Sequence, residues 1–208
     1  MFYPIYLNLT GKRVVVIGGG EVAERKIEPL LDAGASINVV SPEVTSRILT
    51  LAGEKRIELH QRPFRAGDCA GATLVLCATD DGAVSREVFE QARTTGALVN
   101  TADQPALCDF IMPAVVRRGD IAIAISTSGT SPGLAARLRQ KIARLIGPEY
   151  GRLAQLLSEA RPQIRRQIPG EKERKALQYR ILDSDIMTYL KENDIEGAER
   201  RLREIIES

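Results

Sequence analysis

The chain has one histidine, His60, and three cysteines, Cys69, Cys77 and Cys108, in 208 residues. Chemistry that needs two histidines from one chain is therefore excluded. The cysteines are odd in number and show no C-x-x-C spacing, so neither a disulfide framework nor a cysteine metal knuckle is expected. No signal peptide is read at the start, and reduced thiols in the cytoplasm are the expectation. No apolar run is long enough to cross a bilayer. Lys and Arg number 29 against 27 Asp and Glu, a net charge of +2, and so small an excess points to neither a nucleic-acid nor a membrane partner. There is no internal repeat and no low-complexity tract. His60 follows the alternating segment RIEL and reads as a solvent-facing strand residue, with no metal site predicted.

What the chain does have is 44% hydrophobic residues, enough to bury a core in one main domain with an appendage. Apolar runs alternate with helical patterns. Arg13 to Ile17 is a continuous apolar run, as expected of a strand buried on both faces of a parallel sheet. Glu21 to Ala33 places Val22, Ala23, Ile27, Leu30 and Leu31 at helical spacing, with Gly34 just beyond. The strand SINVVSP, a short helix from Val44 to Ala52, the strands RIELHQ and ATLVLCATDD, a helix from Gly82 to Thr95 and the strand ALVNTAD continue the series. This alternation predicts an α/β fold, a Rossmann-type doubly wound parallel sheet, over residues 1–112.

The pattern changes near Phe110. IMPAVVRRGDIAIAIS reads as a hairpin turning at Arg118-Gly119-Asp120. Ser131-Pro132 starts a helix, with serine as N-cap and proline at the first helical position. This strand-hairpin and helix element is assigned to residues 113–147, and an all-helical C-terminal domain to 148–208. Within that domain Pro162, Pro169 and Gly170 are expected to break a charged stretch. Ile195, Ala198, Leu202, Ile205 and Ile206 form the apolar stripe of the last helix.

Three groups of residues carry candidate chemistry. In the first, Gly18, Gly20 and Ala23 fit the spacing G-x-G-x-x-G/A between a buried strand and a helix. There the glycines permit a tight turn and close approach of a pyrophosphate to backbone N–H groups. The predicted cofactor site comprises Gly18, Gly19, Gly20, Glu21 and Val22, with Ser41, Pro42 and Glu43 near the ribose and Thr79 after a later strand. With no arginine abutting Glu43 to favour a 2′-phosphate, NAD is preferred to NADP. The second group, Asp80, Asp81, Asn100, Thr101 and Asp103, follows the carboxyl ends of the later strands. Asp80 and Asp81 read as helix N-caps. Asp103, in a polar loop, is open to either a general-base or a loop-structuring role. Cys108, flanked by Leu107, reads as packing. The third group, STSGTSP with Arg137, Arg139 and Lys141 behind it, is either an anion cradle or a well-capped turn.

These residues carry a resemblance. PIYLNLTGKRVVVIGGGEVAERK, CATDD, VNTADQPALCDFIMPA and ISTSGTSPGLAARLR, in this order over Tyr3 to Leu145, resemble precorrin-2 dehydrogenase, the first module of siroheme synthase. The resemblance implies an NAD-binding domain, a dimerisation element of strands and helix, and a small helical domain, assembled as a homodimer. It implies NAD-dependent oxidation of precorrin-2, a polycarboxylate tetrapyrrole, to sirohydrochlorin in siroheme biosynthesis. In some members ferrous iron is then inserted in the same cavity. Asp103 matches the family's catalytic aspartate. Asn100, Ser126, Thr127, Ser128 and Thr130 would meet the substrate, with Arg117, Arg118 and Arg137 as counter-charges to its carboxylates. Thr127-Ser128 stands where some relatives have serine followed by glycine. A non-catalytic NAD-sensing domain is the alternative from another class, and Asp103 with the hydroxyl-rich cradle counts against it. The absence of a methyltransferase-sized extension leads to the expectation of the shorter enzyme.

Overall fold

The structure, a computed structural model, describes residues 2–208. The chain divides into two compact units, one ending at Met112 and one running from Pro113 to Ser208.

The first unit runs β1 (Arg13–Ile17), α1 (Glu21–Asp32), β2 (Ser36–Val40), α2 (Ser46–Gly53), β3 (Glu58–His60), β4 (Leu74–Cys77), α3 (Gly82–Thr95) and β5 (Leu98–Thr101). All five strands are parallel, in the order β3-β2-β1-β4-β5. Val14 to Ile17 are buried because β1 lies at the centre with helices on both faces. Val14 and Val16 pack with Ala23, Ile27 and Leu30 of α1 on one side. Val15 and Ile17 pack with Val88 and Ala92 of α3 on the other. The alternation of side chains along a strand thus divides one apolar run between two cores.

Local signals set the helix ends. Asp81 Oδ1 accepts the N–H groups of Ala83 and Val84 at 2.8 and 3.1 Å, a cap worth about 1 kcal/mol. Gly96, at φ 74°, ends α3. Asp80 takes no part in that cap, so one of the two expected N-caps is present. Helix α2 starts two residues later than expected because Thr45 accepts from Ile48 and serves as its N-cap. The strand expected over RIELHQ forms only over Glu58–His60, at the edge of the sheet.

In the second unit β6 (Ala114–Arg118) and β7 (Ile121–Ile125) form the expected antiparallel hairpin. It turns on Gly119-Asp120, with Gly119 at φ 56°. Helix α4 (Pro132–Leu145) follows, and Ser131 Oγ accepts the Leu134 N–H at 3.3 Å. Four helices complete the unit, α5 (Pro148–Gln167), α6 (Glu171–Leu182), α7 (Ile186–Lys191) and α8 (Ile195–Glu207). They share a core that includes Leu156, Ile164, Ile181, Leu190 and Leu202.

Pro162 does not break α5, contrary to expectation. Proline removes one N–H from the ladder, but Leu153 and Leu156 before it and Ile164 after it bury on the same core and hold the helix together. The interruption comes between α5 and α6, at Pro169 and Gly170. Gly151 on α5 faces the hairpin tip, where a Cβ would lie 2.7 Å from the Arg118 carbonyl carbon.

Candidate functional site: the switch point of the sheet

The chain leaves β1 for β2 on one side and later returns to its other side as β4. Outside the carboxyl ends of β1 and β4 such a sheet opens a crevice. Gly18 lies in it at φ 108°, where a Cβ would approach the Ala78 carbonyl carbon to 2.7 Å. Its N–H donates to the Val40 carbonyl at 2.9 Å. Gly19 packs against the loop after β2, where a Cβ would meet Val44 Cγ1 at 2.5 Å and Ser41 Cβ at 3.0 Å. Gly20 differs from both. It is the N-cap of α1, no side chain caps that end, and a Cβ there would meet nothing within 4 Å. The first-turn N–H groups of a helix have no intrahelical partner, and here no side chain supplies one. Glu21 and Val22 are the exposed residues of that turn. An uncapped helix N-terminus with room above it fits a dinucleotide pyrophosphate.

At the end of β2, Ser41 is buried. Its Oγ donates to the Glu43 carbonyl at 2.6 Å and its N–H to the His60 carbonyl at 3.2 Å. Pro42 and Glu43 are exposed, leaving the Glu43 carboxylate open to a ribose. Arg47 pairs with Glu28 at 2.9 Å. Arg62 forms a two-pronged pair with Asp68 at 2.7 and 2.8 Å. That pair, helped by the Arg65 N–H, holds the Asp68 carboxyl below its usual range. Thr79 Oγ1 accepts the Asp81 N–H at 3.3 Å.

After β5 the chain makes a return loop. Asn100 and Cys108 form an antiparallel bridge, the Asp109 N–H donates to the Val99 carbonyl at 2.8 Å, and Asp109 Oδ2 accepts the Val99 N–H at 2.9 Å. Asp103 is exposed in this loop at φ 55°, a left-handed conformation that aspartate tolerates better than most residues. Asn100 is buried with its amide engaged at both ends. Oδ1 accepts from Lys26 Nζ at 2.9 Å and Nδ2 donates to the Phe110 carbonyl at 2.9 Å. The Cys108 thiol accepts the Thr101 N–H at 3.2 Å and lies 3.2 and 3.4 Å from the carbonyls of Thr101 and Gln104. The expected packing role of Cys108 is therefore a polar tie across the loop. Among the described residues, Thr101 Oγ1 is a buried hydroxyl oxygen with no partner.

In the second unit the hydroxyls of STSGTSP largely brace their own loop. Ser126 Oγ accepts the Ser128 N–H at 2.9 Å. Thr127 Oγ1 bonds both the carbonyl and the N–H of Ser131, and Thr130 Oγ1 donates to the Thr127 carbonyl. Ser128 is exposed at φ 54°. Arg117 and Arg137 are exposed. Arg118 is not a free counter-charge. It donates to the carbonyls of Ile146, Ala143 and Arg117 at 2.9, 2.8 and 2.9 Å, capping the end of α4.

Sequence reasoning missed Lys26, the Arg62–Asp68 pair and the Arg118 cap. Lys26 and Arg118 reach partners in distant segments, 74 and 25 to 28 residues away, Arg62 reaches across its own loop, and no local motif marks any of them.

A parallel sheet with a glycine turn at its switch point and an uncapped helix behind it defines a Rossmann-type dinucleotide-binding protein. An NAD(P)-binding family model matches residues 5–114. The models described as Sirohaem biosynthesis protein central and Sirohaem synthase dimerisation region match 118–145 and 149–206. The chain belongs to this NAD(P)-binding family, and its remaining length matches the two sirohaem models. The dimerisation model falls on the helical segment, whereas the sequence resemblance places that role on the hairpin and α4. Siroheme synthase of Methylococcus capsulatus is 39% identical, covering 98% of this chain and 43% of the relative. That of Nitrosococcus oceani is 36% identical, covering 95% and 43%. The chain thus spans less than half the length of these relatives. The solved structure of SirC, precorrin-2 dehydrogenase, superposes with a TM-score of 0.79 at 26% identity, covering 98% of this chain and all of that one.

Proposed function

We propose that this chain is an NAD-dependent dehydrogenase that oxidises precorrin-2 to sirohydrochlorin. The observation that carries the reading is the uncapped start of α1 above Gly20, in a chain that matches SirC over 98% of its length. First-turn N–H groups, including those of Glu21 and Val22, hold the pyrophosphate, and Glu43 takes ribose hydroxyls. Arg47 and Arg62 are already paired with carboxylates, which favours a plain ribose over a 2′-phosphate. The nicotinamide, when bound, supplies the two-electron acceptor. The protein's own work is to hold the macrocycle in place and to take the proton released as two hydrogens leave it.

Asp103 is the acceptor for that proton, being an exposed carboxylate at the mouth of the β5 loop. Within the second unit, Ser128, Arg117 and Arg137 are exposed and offer donors suited to carboxylates. Asn100, with its amide engaged inside the protein, shapes the site from beneath. The functional unit is a homodimer, in keeping with the dimerisation model over 149–206. The three free thiols suit a cytoplasmic protein.

Anaerobic incubation with precorrin-2 and NAD, followed by absorbance, tests the reading. Appearance of NADH and sirohydrochlorin in equal amounts supports it, and no NADH from active substrate ends it. Ferrous iron added afterwards reads the chelatase expectation.

A further inference from the structure

Lys26 is on α1, the helix whose first turn receives the dinucleotide in the reading above. Its partner, Asn100, is 74 residues away at the end of β5. From the ammonium a chain of contacts runs to the Asp103 loop. Lys26 Nζ donates to Asn100 Oδ1 at 2.9 Å, and Asn100 Nδ2 donates to the Phe110 carbonyl at 2.9 Å and approaches Cys108 Sγ at 3.6 Å. The Cys108 thiol then ties Thr101 to Gln104. Asp103 lies between these two residues, in a backbone conformation that needs support from its surroundings. A lysine donor fixes which end of the amide is oxygen. Without it Oδ1 loses its donor and the amide is held from one end only, by the Phe110 carbonyl.

We propose that Lys26 is a positioning residue for Asp103, acting through the Asn100 amide and the Cys108 tie. It joins the cofactor-binding helix to the loop that handles protons. The ammonium is partly buried, and burial pushes its pKa down, with Arg25 acting in the same sense. Cys108 and Asp103 act in the opposite sense. A charged group kept in such surroundings needs a partner there, and Asn100 provides one. The proposal rests on Asp103 being the proton acceptor, so its test includes a readout that does not depend on catalysis.

That readout is the reaction of Cys108 with a disulfide reagent. Cys69 and Cys77 are fully buried, and burial pushes the Cys69 thiol up to about 12, so the fast phase belongs to Cys108. Lys26→Met keeps the stem and removes the donor, whereas Lys26→Arg keeps a charged donor. Lys26→Met is expected to raise the Cys108 rate roughly tenfold by loosening the loop. It should lower kcat about tenfold, with KM for NAD within about twofold. Lys26→Arg should restore most of both. Wild-type thiol rate and kcat in Lys26→Met, or equal damage from the arginine variant, would overturn the proposal. Should Lys26→Met fail to fold, Asn100→Ser gives the same thiol readout, and an unchanged Cys108 rate there is equally fatal. Full turnover in Asp103→Asn would instead remove the acid–base reading, while the thiol rates still judge the Lys26 link.

Discussion

A side-chain carbon on Gly18 would lie 2.7 Å from the carbonyl carbon of Ala78, so the ends of β1 and β4 meet at a distance that admits only hydrogen. Gly20, two residues on, has open space instead. The two glycines should therefore fail in different ways. Gly18→Ala adds a clash to a left-handed backbone and is expected to cost about 2 kcal/mol or more in stability. Gly20→Val should melt within about 2 °C of wild type yet bind NAD at least about tenfold more weakly, its side chain filling the pyrophosphate space. Calorimetric titration and thermal melts on both variants separate the effects. Normal NAD binding by Gly20→Val would contradict the phosphate-turn assignment.

Asp103 should be replaced by Asn, which also tolerates its φ of 55°. Turnover is expected to fall about 10²–10⁴-fold with NAD affinity nearly unchanged. Single-turnover kinetics measures the first and fluorescence titration the second. A less tolerant residue such as alanine would add backbone strain to the loss of the carboxylate and blur the result.

Arg118→Met leaves the end of α4 without its guanidinium donors to the Ala143 and Ile146 carbonyls. A loss of about 2 kcal/mol is expected, read as a lowered urea midpoint with an unchanged slope. A stability equal to wild type would show that water serves those carbonyls equally well.

The Arg62–Asp68 pair makes stability depend on pH on the acid side. Hydrogen bonding to Arg62 depresses the folded-state pKa of Asp68. Its contribution is therefore present above the unfolded carboxylate value, about 3.9, and is lost as pH falls through the lower folded value. Asp68→Asn should flatten that part of the profile of melting temperature against pH. An identical acid limb in the variant would mean that other carboxylates dominate it.

Much of the first unit was legible because its signals are local. The run at Val14 to Ile17 required a strand buried on both faces, and Asp81 and Gly96 bracket α3 at the expected residues. The Gly18–Gly20 turn was legible for the same reason, since strand, glycines and helix are contiguous. The helical tail showed only amphipathic spacing, as in Ile195, Ala198 and Leu202, which predicts packing and no chemistry. Lys26 and Arg118 stayed hidden because a long side chain does not announce which distant carbonyl or amide it will reach. Pro162 misled because a single missing N–H was weighed without the core that continues past it.

The approach of Gly151 to Arg118 at the hairpin tip leaves no slack between β6 and α5. The close approach therefore fixes the separation of the hairpin tip and the start of α5 at the width of a hydrogen atom. An added methyl group at position 151 would act as a wedge against the Arg118 backbone, prising the turn away from the helix it rests on.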